Sequence, residues 1–334
     1  MIATPQDLVQ ALQARGFALH PASAQAPAEE TSERPWFVSL LLGAAGWAAG
    51  IFVLIFVGMT FARGSNGGAG ILVAGLVLLA MAYGLFWAAG RAGFAAFASQ
   101  AALALSIAGQ FATLFGLAES IDRNLSMRAV PTLATIALAM QVILAAVMPN
   151  RLHRTMSTLF ACIAWAVALR FSTWDRAGVP AGIPASAVTG LSIWLATWLP
   201  LAGLLFVIVR REPMWIARGF APMVRPIAAG LVVALALGTL ASEPWALLVG
   251  PGSAHGGLAP WPLLSALAAL AALIAAFALG NLGLAAVCIA AAIGHVFHLY
   301  YSLEATLLAK AATLAVVGAG CLAAAWLTRT RSAP

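Results

Sequence analysis

The chain is a succession of apolar runs that continue past 18 residues without a charge. As a helix, a run of ~20 residues at 1.5 Å each crosses the roughly 30 Å hydrocarbon core of a bilayer. A membrane β-barrel is excluded, because its strands alternate apolar and polar residues with period two. Composition excludes a water-soluble domain: 63% of the 334 residues are apolar and 8% charged, against about half and a quarter in soluble proteins. The fold class is therefore all-α, a polytopic integral membrane helical bundle. Its surroundings are membrane lipids, and its helices pack laterally.

Polar breaks divide the runs into about ten spans, at 36–62, 69–90, 93–118, 129–149, 155–171, 185–209, 226–242, 260–279, 283–300 and 305–327. The shortest, 155–171, is expected to be a core helix or to meet a thinned bilayer. The break near 280 rests on Gly280, Asn281 and Gly283. The break at 300–305 has no Gly or Pro and follows from length. An uninterrupted helix over 283–327 would be about 67 Å long, twice the hydrocarbon thickness. A turn is required, and His298, Tyr300, Tyr301, Ser302 and Glu304 are where it can meet water.

Ahead of this domain, 36–330, two segments are expected. Residues 1–16 form a short amphipathic helix: Thr4 can cap it, Pro5 suits its first position, and Leu8, Val9 and Leu12 give it a narrow apolar stripe. Residues 17–35 are a polar, Pro/Ala-rich linker. The start lacks the basic region and apolar stretch of a secretory signal peptide.

Orientation follows from loop arginines, which favour the cytoplasmic side. With the N-terminus inside, eleven lie in cytoplasmic segments: Arg15, Arg34, Arg91, Arg151, Arg154, Arg210, Arg211, Arg218, Arg225, Arg329 and Arg331. Five lie opposite: Arg63, Arg123, Arg128, Arg170 and Arg176. Both termini are expected to be cytoplasmic. The same rule explains the net charge of +7 without a nucleic-acid partner, since no basic helix concentrates it. The inner loop 210–225 interleaves four arginines with Met214, Trp215, Ile216 and Phe220, the pattern of an interfacial segment whose arginines snorkel to headgroups. A lipid-headgroup site there stays open.

The candidate functional cluster is His295, His298, Tyr300, Tyr301, Glu304 and Lys310, the last being the lone lysine. Ionisable residues inside a membrane are costly and face the bundle interior or a water-filled cavity. The charge of Lys310 must snorkel, find a partner or be lost; Glu304 lies on the wrong helix face, so the outer-end acids Glu119 and Glu243 are the better candidate partners. His295 and His298 share a helix face, but two histidines without His-Glu-x-x-His do not make a zinc site. Hydrogen-bonding roles fit them better. Gln100, Gln110 and Gln141, with Thr132 and Thr135, sit inside spans three and four, where interhelical hydrogen bonding is the plainer reading. Gly46 and Gly50 form a small-residue face for close helix approach. The three cysteines, Cys162, Cys288 and Cys321, lie in apolar runs without a disulfide or metal pattern. With no phosphate loop, catalytic triad or carboxylate pair, the expectation is no enzyme, no metal and no cofactor.

Four motifs resemble the domain of unknown function 4401 family. They are Arg34-Pro35-Trp36-Phe37-Val38 with Leu41-Leu42-Gly43-Ala44-Ala45-Gly46-Trp47, Ala108-Gly109-Gln110 with Gly116-Leu117, Pro149-Asn150-Arg151-Leu152-His153-Arg154, and Tyr300-Tyr301-Ser302-Leu303-Glu304 running on through Thr306-Leu307-Leu308 to Lys310. The resemblance implies a bacterial inner-membrane protein of many spans. It also implies partnership with another multi-span membrane protein and a GDYXXLXY-type protein, and supplies no reaction. The expected function is a non-enzymatic subunit of an envelope complex that docks partners through its outer-face polar cluster. The alternative is a small-solute or ion/proton-coupled transporter using Lys310 and the outer-end acids.

Overall fold

The computed structural model describes residues 36–64, 68–89, 95–121, 129–174, 187–238, 261–302, 306–308, 310–312, 315, 318, 319 and 322. These residues form α-helices with no strand among them. In chain order they are α1 (Trp36–Gly64), α2 (Gly68–Ala89), α3 (Ala95–Ile121), α4 (Val130–Val147), α5 (Arg151–Trp174), α6 (Ala187–Ala217), α7 (Ala221–Val233), α8 (Trp261–Ala278) and α9 (Leu282–Ser302). A π-helical turn, Ala234–Gly238, continues α7. Six segments are long and apolar enough to cross a bilayer: Gly68–Ala89, Phe97–Ile121, Val130–Val147, Arg151–Ser172, Leu191–Ala217 and Ala221–Gly238. Shorter apolar stretches lie in α1, α8 and α9. The expected helix over 1–16, the linker over 17–35 and most of the tenth span fall outside the described residues.

Two helix groups share the fold. In the first, α1 and α2 pack on α3, and Val57, Leu78 and Leu105 meet in its core. In the second, α7 is central and touches α5, α6, α8 and α9. Leu231 and Leu235 of α7 and its π turn are buried with Trp198 of α6, Cys162 of α5, Ala272 of α8 and Cys288 of α9. The outward faces carry Phe52, Phe56, Leu199, Phe206, Ile274 and Phe277 exposed, as lipid-facing side chains must be.

Glycines set the closest approach. Gly68 and Gly75 of α2 lie on one face, two turns apart, and so do Gly109 and Gly116 of α3. The helices run antiparallel, Gly68 against Gly116 and Gly75 against Gly109. A Cβ on Gly68 would stand 2.6 Å from the carbonyl oxygen of Gly116, and one on Gly75 2.8 Å from that of Gly109. Backbone therefore packs on backbone, the arrangement that small residues permit in lipid. The Gly46 and Gly50 face of α1 behaves likewise, set against Phe97, Ala101 and Ala104 of α3.

Two boundaries differ from the sequence reading. The span expected at 155–171 is the 24-residue helix α5, which begins at Arg151. Asn150 caps it, its Oδ1 accepting from the backbone N–H of His153 at 3.1 Å. Length alone therefore no longer requires a thinned bilayer there. The expected inner loop 210–225 is mostly helix: α6 carries Arg210 and Arg211 and runs to Ala217, while α7 opens at Ala221 and carries Arg225. The turn between them is tight. Gly219, at φ 83°, donates to Ile216 O and Phe220 donates to Trp215 O, the paired bonds of a Schellman ending. The same motif closes α8 at Gly280, φ 64°, before Asn281 caps α9. That places the break near 280 where Gly280 and Asn281 predict it. At the far end α9 stays helical through Ser302, so Tyr300, Tyr301 and Ser302 belong to the helix rather than to a turn.

Candidate functional site

Where the two helix groups meet, the interior is polar. Ser106 and Gln110 project from one face of α3, being four residues apart. His153 and Ser157 do the same on α5, and Gln141 comes from α4. All five are buried, His153 at 1% exposure and both glutamines at 4%. Gln141 Nε2 donates to Gln110 Oε1 at 2.7 Å, and Gln110 Nε2 donates to Ser106 Oγ at 3.1 Å. Ser106 Oγ lies 2.6 Å from His153 Nε2, and His153 Nδ1 lies 3.2 Å from Ser157 Oγ.

Donor logic orders this chain. The Gln110 amide nitrogen carries only hydrogens and also lies 3.3 Å from His153 Nε2, so that ring nitrogen presents its lone pair. Ser106 then donates to Nε2, and His153 Nδ1–H donates to Ser157. The result is one directional run of hydrogen bonds from α4 through α3 to α5. Phe86 of α2 closes it from the side, edge-on to the imidazole with ring centroids 5.8 Å apart. Phe86 is itself buried in an apolar cluster with Leu103, Leu144 and Met148. At the head of the run, Gln141 Oε1 is buried with no hydrogen-bond partner among the described residues. An unpaired amide oxygen in an apolar interior costs free energy, and such groups in native proteins tend to mark functional or water-linked positions.

Gln100, Gln110 and Gln141 make the interhelical bonds expected of them, Gln100 by accepting from Trp47 Nε1 of α1 at 3.2 Å. Thr135 instead donates to Pro131 O within its own helix. His153 was missed, read as part of an arginine-flanked loop. The signals that could have found it are the Asn150 cap three residues earlier and the His153/Ser157 spacing, which repeats that of Ser106/Gln110. Arg154, one residue on, is turned away from the junction, and its Nη1 donates to Pro222 O at 2.8 Å.

The residues expected at the outer face are distributed more widely. His295 is buried at 1% exposure on α9. Its Nε2 lies 2.9 Å from Ala236 O; a carbonyl only accepts, so Nε2 carries the proton. Ala236 belongs to the π turn that continues α7, and such turns recur at functional sites. Lys310 Nζ sits 4.9 Å from the centre of the Tyr300 ring, a cation–π distance. Glu119 lies in the last turn of α3 beside Gly68, the first residue of α2, where the positive end of a helix favours a carboxylate. Gln110 belongs to the junction above. His298 and Tyr301 are on α9, and Glu243 and Glu304 lie outside the described residues. Thus Tyr300 and Lys310 come together, while Gln110 and Glu119 belong to the other helix group. No set of three His, Cys, Asp or Glu side chains able to hold a metal occurs among the described residues.

A family model described as Domain of unknown function (DUF4401) matches residues 35–255 and 242–331. No curated protein and no solved structure matches the chain.

Proposed function

We propose that this chain, which belongs to the DUF4401 family, is a non-enzymatic multi-span subunit of an envelope complex in a bacterial inner membrane. In this reading it crosses ten times, with both termini in the cytoplasm. The observation that carries it is at Lys310. The ammonium of the lone lysine lies 4.9 Å from the centre of the Tyr300 ring. An ammonium attracted to an aromatic face keeps N–H donors for a further partner. That is a ready contact for a carboxylate on a neighbouring chain.

The test is purification of a tagged copy from native membranes in mild detergent, with identification of stoichiometric co-eluting chains. Lys310→Met should reduce the partner's recovery about tenfold, the loss of one charge-assisted contact, and Lys310→Arg should restore part of it. A wild-type protein that elutes alone and intact would overturn the subunit reading. Topology has its own test. In a background without the native cysteines, Cys at position 255 should react with an impermeant thiol reagent added outside, and Cys at 218 should not. Labelling at 218 alone would reverse the orientation.

A second reading, a small-solute or proton-coupled transporter, is favoured by the junction around His153. An ionisable side chain buried in a span is a candidate for a transport path. This one lies between two helix groups, the place where alternating-access proteins rock.

A further inference from the structure

One end of the second helix group gathers positive charge from several elements. Arg151 and Arg154 open α5, Arg210 and Arg211 are near the end of α6, Arg218 is in the following turn and Arg225 is near the start of α7. Two contacts place them at the same end: Arg154 Nη1 bonds Pro222 O, and Arg225 Nε bonds Glu212 Oε1 at 3.0 Å. Six guanidinium groups are thus accompanied there by one described carboxylate. The α8–α9 turn comes to the same place, because Arg225 shares a cleft of about 310 Å³ with Leu279, Gly280, Asn281, Leu282 and Leu284.

We propose that this cleft holds the phosphate of an anionic membrane phospholipid, with Arg225 as its principal contact. A guanidinium offers five N–H donors in a planar fork that matches phosphate oxygens, and the bond to Glu212 occupies one of them. The opposite wall is the start of α9, whose dipole adds the same sign of charge. The surroundings select a lipid over a soluble phosphate. Leu282, on the rim, is 80% exposed, and so in part are Met214 and Ile216 at the end of α6 and Phe220 in the turn after it. A basic cleft edged by uncovered apolar side chains suits a headgroup with acyl chains attached. It does not suit a free ion.

The test uses the full chain in detergent, titrated with phosphatidylglycerol, phosphatidylcholine or inorganic phosphate, and follows binding and thermal unfolding. Phosphatidylglycerol should bind saturably and raise the unfolding temperature, and the other two should not. Arg225→Gln should weaken phosphatidylglycerol binding about tenfold or more. Arg225→Lys should weaken it less, and Glu212→Gln, which frees the fork, should not weaken it. Arg211→Gln, at the same end but outside the cleft, should leave it nearly unchanged. Equal losses in Arg211→Gln and Arg225→Gln would mean diffuse attraction to a basic surface and overturn the site. Stabilisation by inorganic phosphate to the same degree would overturn the lipid as its occupant. No response to phosphatidylglycerol would overturn both.

Discussion

Gly75→Leu is expected to abolish recovery of the folded protein, and Gly75→Ala to destabilise it by at least the ~1–3 kcal/mol typical of overpacking. At this position the added carbon would meet the backbone N–H of Thr113 and the carbonyl oxygen of Gly109. Neither is the movable end of a side chain, so α2 and α3 must separate. Separation would also pull apart the neighbouring Gly68/Gly116 contact, because both pairs share one helix seam. Gly84 supplies the control: it lies on the same helix, and a Cβ there meets nothing within 4 Å. Gly84→Ala should therefore unfold within a few degrees of wild type in detergent, while Gly75→Ala unfolds well below it. Equal behaviour of the two would mean that the seam is not formed.

The α2–α3 seam shows which part of the fold is legible in sequence. Length and apolarity locate helices well, because a span must satisfy all its backbone groups internally whatever its neighbours are. Nine of the ten expected spans coincide with a described helix, and six of the described segments are long and apolar enough to cross a bilayer. A pair of glycines within one helix, such as Gly46 and Gly50, is also visible as a local pattern. The rows Gly68/Gly75 and Gly109/Gly116 are harder to find. Each is two turns long, and its meaning depends on which helix lies opposite and in which direction it runs. Helix ends are legible where a residue has one conformational role, as at Gly280 and Asn281. They are obscured where charge misleads. Arg151 and Arg154 read as a loop, although the Asn150 side chain starts a helix there. The same error hid His153, since a histidine between two arginines looks solvated until its helix face is known. His295 is the converse: the apolar run of span nine marks it as buried, but not the π-turn carbonyl that it bonds.

His153→Leu is expected to lower stability by about 2–4 kcal/mol, since buried hydroxyl and amide groups left unpaired cost about 1–3 kcal/mol each. The loss falls on Ser106 and Ser157, which flank the ring at 2.6 and 3.2 Å. Part of it is recovered, because a helical serine can turn to the carbonyl four residues back, as Ser120 does with Gly116. Adding Ser106→Ala to His153→Leu should therefore cost less than the sum of the single changes. A coupling of about 1 kcal/mol is expected for side chains in one network, and additivity would mean that the bond is absent. The glutamines at the other end of the run predict the opposite. Gln141 Oε1 is already without a partner among the described residues. Replacing both glutamines together, Gln110→Leu with Gln141→Leu, removes that orphan and both ends of the 2.7 Å bond at once. Such paired apolar replacement is often near neutral, so this double variant should unfold close to wild type while His153→Leu does not. That pairing separates the two functional readings. If the junction only braces the helix groups, the glutamine-free protein folds, assembles and supports the cellular phenotype. If polar groups between the helix groups conduct a proton or a solute, the same well-folded protein assembles but fails to support it, because hydrophobic packing can replace a brace and cannot replace a polar path.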